Sequence, residues 1–272
     1  MFYNGRICLA LNPEEGPMKK ILFLATLLLI LSGCVRKDVD PYQAYRGKTS
    51  AELFTSGERA LAKKDYSEAV KNFEALDAIY PFGPHAEQAQ LDIIYAYYKN
   101  NDTSSAIAAA DRYIRLYPRG RNVDYAYYMR GVISFDLGLS WLQKLARVSP
   151  VSRDVSTLQQ SFTSFATLAE VFPHSRYTPD ALTRMRYIRN LMAQREIMIA
   201  EFYMKRRAYV AAANRGSYVV QHFQGSPQVA KALAIMVQAY RALGLPKMAD
   251  ASNHLLQTNY PHTLEARKLR KA

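Results

Sequence analysis

An aromatic residue followed by proline closes one apolar helical stripe after another along this chain, and that punctuation restricts the fold to a stack of similar units. Tyr80-Pro81, Tyr117-Pro118, Phe172-Pro173 and Tyr260-Pro261 carry it, and Phe223-Gln224 carries a weakened form. Proline lacks the N–H that a helix interior requires and clashes with the preceding turn, so each dipeptide ends a helix. Pro84, just past the first seam, stands where its fixed φ suits a helix start. Five seams imply five units. Before the first, Ala69, Phe73, Leu76 and Tyr80 recur at i, i+4, i+7 and i+11, one face of a 3.6-residue period. Shifts of 37, 92, 143 and 180 residues carry this stripe onto Ala106, Ala110, Tyr113 and Tyr117; Ser161, Phe165, Leu168 and Phe172; Ala212, Gly216, Val219 and Phe223; and Ala249, Asn253, Leu256 and Tyr260.

A small residue, a larger packing residue and an aromatic-proline end at this spacing resemble the tetratricopeptide repeat, whose period is about 34 residues. The fold class expected is therefore all-α: a right-handed superhelical α-solenoid of about five tetratricopeptide-like helix pairs. The first pair is predicted near Ser50 to Lys63, opened by Thr49-Ser50, and near Tyr66 to Tyr80. Two units are stretched. The third contains GLSWLQKLARVSPVSRD, Gly138 to Asp154, which holds the one tryptophan, Trp141, and reads either as a loop or as a short docking segment. The fourth begins with a long helix, capped by Thr178 and running to about Arg207, with a stripe of Ala181, Met185, Ile188, Met192, Ile199 and Phe202. Its arginine-rich polar face is either a contact site or a solvated face. Ser226-Pro227 caps the last first-helix.

The amino-terminal stretch stands apart from the repeats. Met18-Lys19-Lys20 and the apolar run to Cys34 have the basic start, short apolar core and small-residue end of a secretory signal, and the run is too short to span a bilayer. Leu31-Ser32-Gly33-Cys34 resembles the bacterial lipobox, in which the cysteine receives diacylglycerol, cleavage occurs before it, and the new amino group is acylated. The expected organisation is an upstream extension at 1–17, a lipoprotein signal peptide at 18–33, a lipidated tether at 34–48, the solenoid at 49–262 and a basic tail at 263–272. Cys8 leaves with the leader, so Cys34 is the one cysteine of the mature chain and no internal disulfide can form. Apart from these acyl groups, no cofactor is expected. The formal charge is +13; Arg6, Lys19 and Lys20 against Glu14 and Glu15 fall in the leader, leaving +12. Behind a signal peptide, such charge points to acidic protein surfaces and anionic headgroups rather than nucleic acid, or else to solvated helix faces.

No constellation for chemistry stands in the sequence. The histidines at 85, 174, 222, 254 and 262 lack the i, i+3 or i, i+4 spacing of a helical metal site, and the repeats leave no room for a separate catalytic domain. Instead there are 20 tyrosines, clustered at Tyr95, Tyr97 and Tyr98 and at Tyr125, Tyr127 and Tyr128 on first helices. In stacked helix pairs the first helices line the inner face. Tyr95 and Tyr98 share the face of Leu91 and Ile94 and read as core; Tyr97, with Ile93, points elsewhere and is the groove candidate, as is Tyr127 in the second cluster. Tyrosines with Arg112, Arg115 and Arg130 nearby suit an extended peptide with aromatic side chains; equally, the rings simply pack the repeats.

YPFGP, QLDIIYAYYKN, RYIRLYP, DYAYYMRG, Arg153-Asp154, FPHSRYTPDA and AYVAAANR together resemble the BamD (ComL/YfiO) family of outer-membrane assembly lipoproteins, from about Ala51 to Pro261. The resemblance implies a non-enzymatic lipoprotein in the inner leaflet of the outer membrane, with its body in the periplasm. The partners it implies are the POTRA region of BamA, the accessory Bam lipoproteins and unfolded β-barrel proteins, whose C-terminal signal it helps to recognise. Substrate contacts fall to repeats at about 49–173 and BamA contacts to about 174–262. Tyr80 of YPFGP and Arg115 of RYIRLYP become substrate-side residues, and Arg215 of AANR a BamA-side residue. The different-function alternative is another lipid-anchored scaffold of the envelope, serving pilus or cell-wall machinery.

Overall fold

The punctuation is realised as helices that end at each aromatic residue. The computed structural model describes residues 40–137 and 155–271, so Cys34, the leader and the 138–154 insertion lie outside the described residues. Residues 45–272 form one unit, separate from 1–44. Its described residues hold eleven α-helices and no strand: α1 (Ser50–Ala62), α2 (Tyr66–Ile79), α3 (Ala86–Lys99), α4 (Thr103–Leu116), α5 (Val123–Leu137), α6 (Val155–Val171), α7 (Thr178–Lys205), α8 (Tyr209–His222), α9 (Gln228–Ala242), α10 (Pro246–Asn259) and α11 (Leu264–Lys271). The first ten make five antiparallel pairs, each packed on the next, and α11 closes the end against α9 and α10. First helices also pack on first helices, α1 on α3, α3 on α5 and α7 on α9, which makes them the inner row.

The repeated stripe is the core. Ala69, Phe73, Leu76, Ala106, Ala110, Tyr113, Ser161, Phe165, Leu168, Ala212, Gly216, Val219, Ala249 and Leu256 are all buried, while the closing Tyr80, Tyr117, Phe172 and Tyr260 are half-buried. Packing within pairs is a match of ring to gap. A Cβ on Gly57 would lie 2.5 Å from the Phe73 ring, and one on Gly131 2.6 Å from the Phe165 ring, so α1 and α5 need glycine to sit this close to α2 and α6. In the second pair the bulk is exchanged, with Ile94 on α3 and Ala110 on α4, both buried.

The turns within pairs share one geometry. Lys64, Asn101, Arg207 and Gly244 all have φ between 60° and 70°. Each lets the next N–H reach back to the ending helix, as Asp65 N–H does to Ala60 and Ala208 N–H to Tyr203. Asp65 and Asp102 then cap α2 and α4 by accepting from Glu68 N–H and Ser105 N–H. Thr49 and Glu52 form the capping box that opens α1.

Two local expectations are corrected. Thr178 is the first helical residue of α7 and not its cap; its hydroxyl donates back to the Phe172 carbonyl at 2.8 Å, while Tyr177 holds the cap position without a side-chain bond. The α7 stripe also changes face. Ala181 and Ile188 are buried as expected, but beyond them Leu191, Ala193, Ile197 and Ala200 face inward and Phe202 is 52% exposed. The cause is that α7, at 28 residues, packs on α6 and α8 and also reaches α9, so its buried face follows different neighbours along its length.

Candidate functional site

Three first helices and the turn before the fourth border an aromatic groove. Leu61 of α1, Gln88, Leu91, Asp92 and Tyr95 of α3, Asn122 and Tyr125 at the start of α5, and Arg176 and Tyr177 before α7 line a volume of about 350 Å³. The stack brings these residues together. First helices neighbour one another, and the α6–α7 turn is tied to α5 by Ser175, whose hydroxyl donates to Asp124 at 2.6 Å.

Each wall is held in place. Tyr95 meets Tyr66 edge-on at 6.3 Å, with the Lys99 ammonium over its ring at 5.7 Å. Tyr177 stacks on Tyr128 at 4.9 Å and tilts against Tyr125 at 5.5 Å. The Arg176 guanidinium lies over the Tyr177 ring at 4.8 Å and donates to its hydroxyl. This side chain is exposed, so it presents a cation at one end of an aromatic wall. Burial raises the Tyr125 phenol above its ordinary range.

Asp92 is the unusual group. Burial pushes its carboxyl up to about 7; a hydrogen bond donated by Gln88 at 2.9 Å opposes the rise, and neighbouring Glu58 adds to it. The groove thus offers amide and carboxyl groups able to bond a peptide backbone, rings to receive side chains, and a guanidinium suited to a carboxylate.

None of the residues singled out from sequence as binding residues is in the lining of this groove. Tyr80 ends α2, half-buried, and its hydroxyl donates to the Lys48 carbonyl at 2.9 Å. Tyr97 is half-buried and donates to Glu74 of α2. Tyr127 packs on Phe172 at 5.9 Å with the Arg130 guanidinium over it at 5.2 Å, and Arg130 also bonds Asp111 at 2.9 Å and Ser164 at 3.0 Å. Arg115 is exposed at the end of α4. Arg215, on α8, donates to Glu196 of α7 at 2.9 Å and stays 44% exposed. Tyr95, expected in the core, is a groove wall. Sequence reasoning missed Asp92, Arg176 and Tyr177, although FPHSRYTPDA already placed the last two beside a seam.

Among the described residues no group of histidine, cysteine and carboxylate side chains could hold a metal ion. No described helix is long and apolar enough to cross a membrane.

Comparison with known proteins gives a consistent match. The YfiO family, described as outer membrane lipoprotein, matches residues 46–255, and a prokaryotic membrane lipoprotein lipid attachment site matches residues 18–34. A protein of Neisseria meningitidis serogroup B named outer membrane protein assembly factor BamD is 38% identical over 249 residues, covering 90% of this chain and 92% of that one. A Pasteurella multocida protein of the same name is 34% identical, covering 90% and 93%. Among solved structures, a Pseudomonas aeruginosa pilF protein aligns over 93% of this chain and 91% of its own at 13% identity and a TM-score of 0.38, a likeness too loose to bear on function.

Proposed function

The chain belongs to the YfiO family of outer-membrane lipoproteins, and we propose that its groove holds the C-terminal segment of an unfolded outer-membrane β-barrel protein while its last two helix pairs dock on BamA. As a family member it is a lipid-anchored assembly factor for outer-membrane proteins, a scaffold and not an enzyme. The observation that carries the reading is the union of Tyr95, Tyr125 and Tyr177 with Arg176 in the lining of one groove. An extended chain ending in an aromatic residue needs ring-lined space for its side chain and a cation for its terminal carboxylate. Within this reading Tyr80, Tyr97, Arg115 and Tyr127 are substrate-side residues. Tyr97 and Tyr127 brace the helices that carry the groove, and Tyr80 and Arg115 stand at its seams.

On the partner side, Phe202 near the end of α7 and Val210 near the start of α8 are 52% and 60% exposed, Arg215 stands on the same α8, and a depression of about 440 Å³ lined by Val210 runs from Arg207 to Asn214 and Leu243. Exposed apolar side chains and a half-exposed guanidinium on the same helix pair suit a protein interface. The POTRA region of BamA is the partner proposed for it, with accessory Bam lipoproteins beside it.

The groove is tested by titrating a labelled peptide with a C-terminal aromatic residue. Arg176→Glu is expected to weaken binding about tenfold, and amidating the peptide terminus to weaken wild type but not the variant, because both remove the same charge pair. Equal affinity in all four combinations would take the groove out of substrate recognition. For the partner face, Arg215→Glu is expected to cut recovery of BamA in a mild-detergent pull-down from the envelope. Undiminished recovery would remove Arg215 from that interface.

A further inference from the structure

We propose that the seam edge of the first two helix pairs is a second membrane contact, which lays the solenoid against the anionic headgroups of the leaflet that holds the lipidated cysteine. The edge lies outside the groove lining and away from the BamA-side residue Arg215; Tyr80 and Arg115, which stand at the seams, are shared with the substrate-side reading, so the test rests on Phe82, Arg119 and Arg121 instead.

The edge is continuous. Lys48, at the entry to α1, accepts through its carbonyl from the Tyr80 hydroxyl, which places the chain's entry beside the first seam. The second seam lies against it, since a Cβ on Gly120 would be 3.0 Å from the Glu87 carboxylate in the first turn of α3. Apolar side chains project from both seams. Phe82 is 88% exposed on the Pro-Phe-Gly-Pro turn, and Leu116 is 52% exposed at the end of α4. Among the described residues Phe82 makes no ring contact, so a turn stiffened by two prolines holds an apolar ring out toward whatever covers this edge.

Charge decides what this edge fits. Its carboxylates are engaged within the protein: Glu52 by Thr49, Asp77 by Arg112 and Gln90, Glu87 by Tyr113, and Asp124 by Ser175. Arg115, Arg119 and Arg121 are exposed and make no ion pair among the described residues. Asp77 is neutralised by Arg112, and the other three acids, though still charged, are turned toward protein donors, while three unpaired guanidiniums stand outward beside two apolar tips, the combination that meets an anionic bilayer surface.

Chain connectivity supplies the occupant. A lipid attachment site ends at Cys34, and Tyr45 enters this same edge 11 residues later. At ~3.3–3.6 Å per extended residue, the entry point stays within about 40 Å of the anchor. A contact too weak to bind membranes alone becomes intramolecular under such a tether, with an effective concentration in the millimolar range.

The test uses the acylated mature chain in vesicles. Cys8 is lost and the Cys34 thiol is acylated, so an engineered cysteine is the one free thiol. An environment-sensitive apolar probe is placed through Phe82→Cys, where it stands in for the ring, or through Ser104→Cys at the other end of α4, about 18 Å from Leu116 along the helix. Quenching by a nitroxide in the lipid phase is then read in phosphatidylglycerol-containing vesicles. The expected result is quenching at 82 at least about threefold that at 104. Adding Arg119→Glu and Arg121→Glu should weaken the docking equilibrium by about fivefold or more per charge. The milder pair Arg119→Gln and Arg121→Gln should weaken it in the same direction. Equal quenching at 82 and 104 would overturn the proposal and leave the edge to a protein partner. Quenching at 82 that is indifferent to both variant pairs and to high salt would overturn it as well.

Discussion

Replacing Asp92 by asparagine should stabilise the protein at alkaline pH and leave it nearly unchanged at acid pH. In the folded chain the Asp92 carboxyl titrates at about 7, mainly because burial disfavours its charged form; unfolded, it titrates at its ordinary value near 4. The folded state therefore holds one more proton than the unfolded state between these two pH values. Stability falls as pH rises through that window and levels off above it. A shift of about three units at 1.36 kcal/mol per unit would be about 4 kcal/mol. Partial exposure of the side chain and relaxation of Gln88 and Glu58 reduce this to roughly 2 kcal/mol. Asparagine keeps an acceptor for the Gln88 amide and never ionises. At 2–4 °C per kcal/mol for a unit of this size, Asp92→Asn should melt about 4–8 °C above wild type at pH 8.5 and within about 2 °C of it at pH 5. Thermal unfolding of both chains followed by circular dichroism across that range checks it, since other titrating groups cancel in the difference. A melting difference independent of pH, or a wild type more stable than the variant at pH 8.5, would refute the reasoning.

Two further perturbations address the packing of the repeats. Gly131→Ala would put a methyl 2.6 Å from the ring of the fully buried Phe165, so it should cost about 1–3 kcal/mol by urea denaturation; a neutral result would mean that α5 and α6 can separate freely. Arg207→Gly relieves a side chain held at φ 60° in the turn where the last pair already uses Gly244, and should raise stability by about 1 kcal/mol in the same assay.

The repeat register was legible because proline punctuation and a 3.6-residue stripe are local signals, and the side chains they selected are those the helices bury. The groove was not. Leu61 and Tyr177 are more than a hundred positions apart in sequence, and only the stacking of first helices brings them to one wall. Asp92 reads in sequence as one more helical acid, since nothing local reports the burial that sets its titration. Phe82 was hidden differently: a phenylalanine one residue past Tyr-Pro looks as apolar as Phe73, and the turn that exposes it is a matter of backbone direction. On α7 a single period could not anticipate that the helix meets new neighbours beyond Ile188. At Lys64 and Arg207 the left-handed turn carries no glycine to announce it.

The abundance of tyrosine then connects the interior to the surface charge. Periodicity left two uses open, groove and packing, and the hydroxyls separate them. Tyr97, Tyr98, Tyr113 and Tyr128 each donate to a carboxylate on another helix: Glu74, Asp136, Glu87 and Asp180. At the partly buried Glu74, Asp136 and Glu87 the phenol donor stands in for a cation, whereas the exposed Asp180 also pairs with Arg184. Among the described residues the hydroxyls of Tyr95 and Tyr125 make no hydrogen bond, and both line the groove. Their rings pack while their polar tips remain open to a ligand. The same division bears on the outside of the molecule. Glu74, Asp136 and Glu87, latched by tyrosines, have no ion-pair partner among the described residues, and arginines such as 115, 119 and 121 face outward, so a chain of +13 formal charge displays part of that charge where lipid headgroups and acidic protein surfaces meet it.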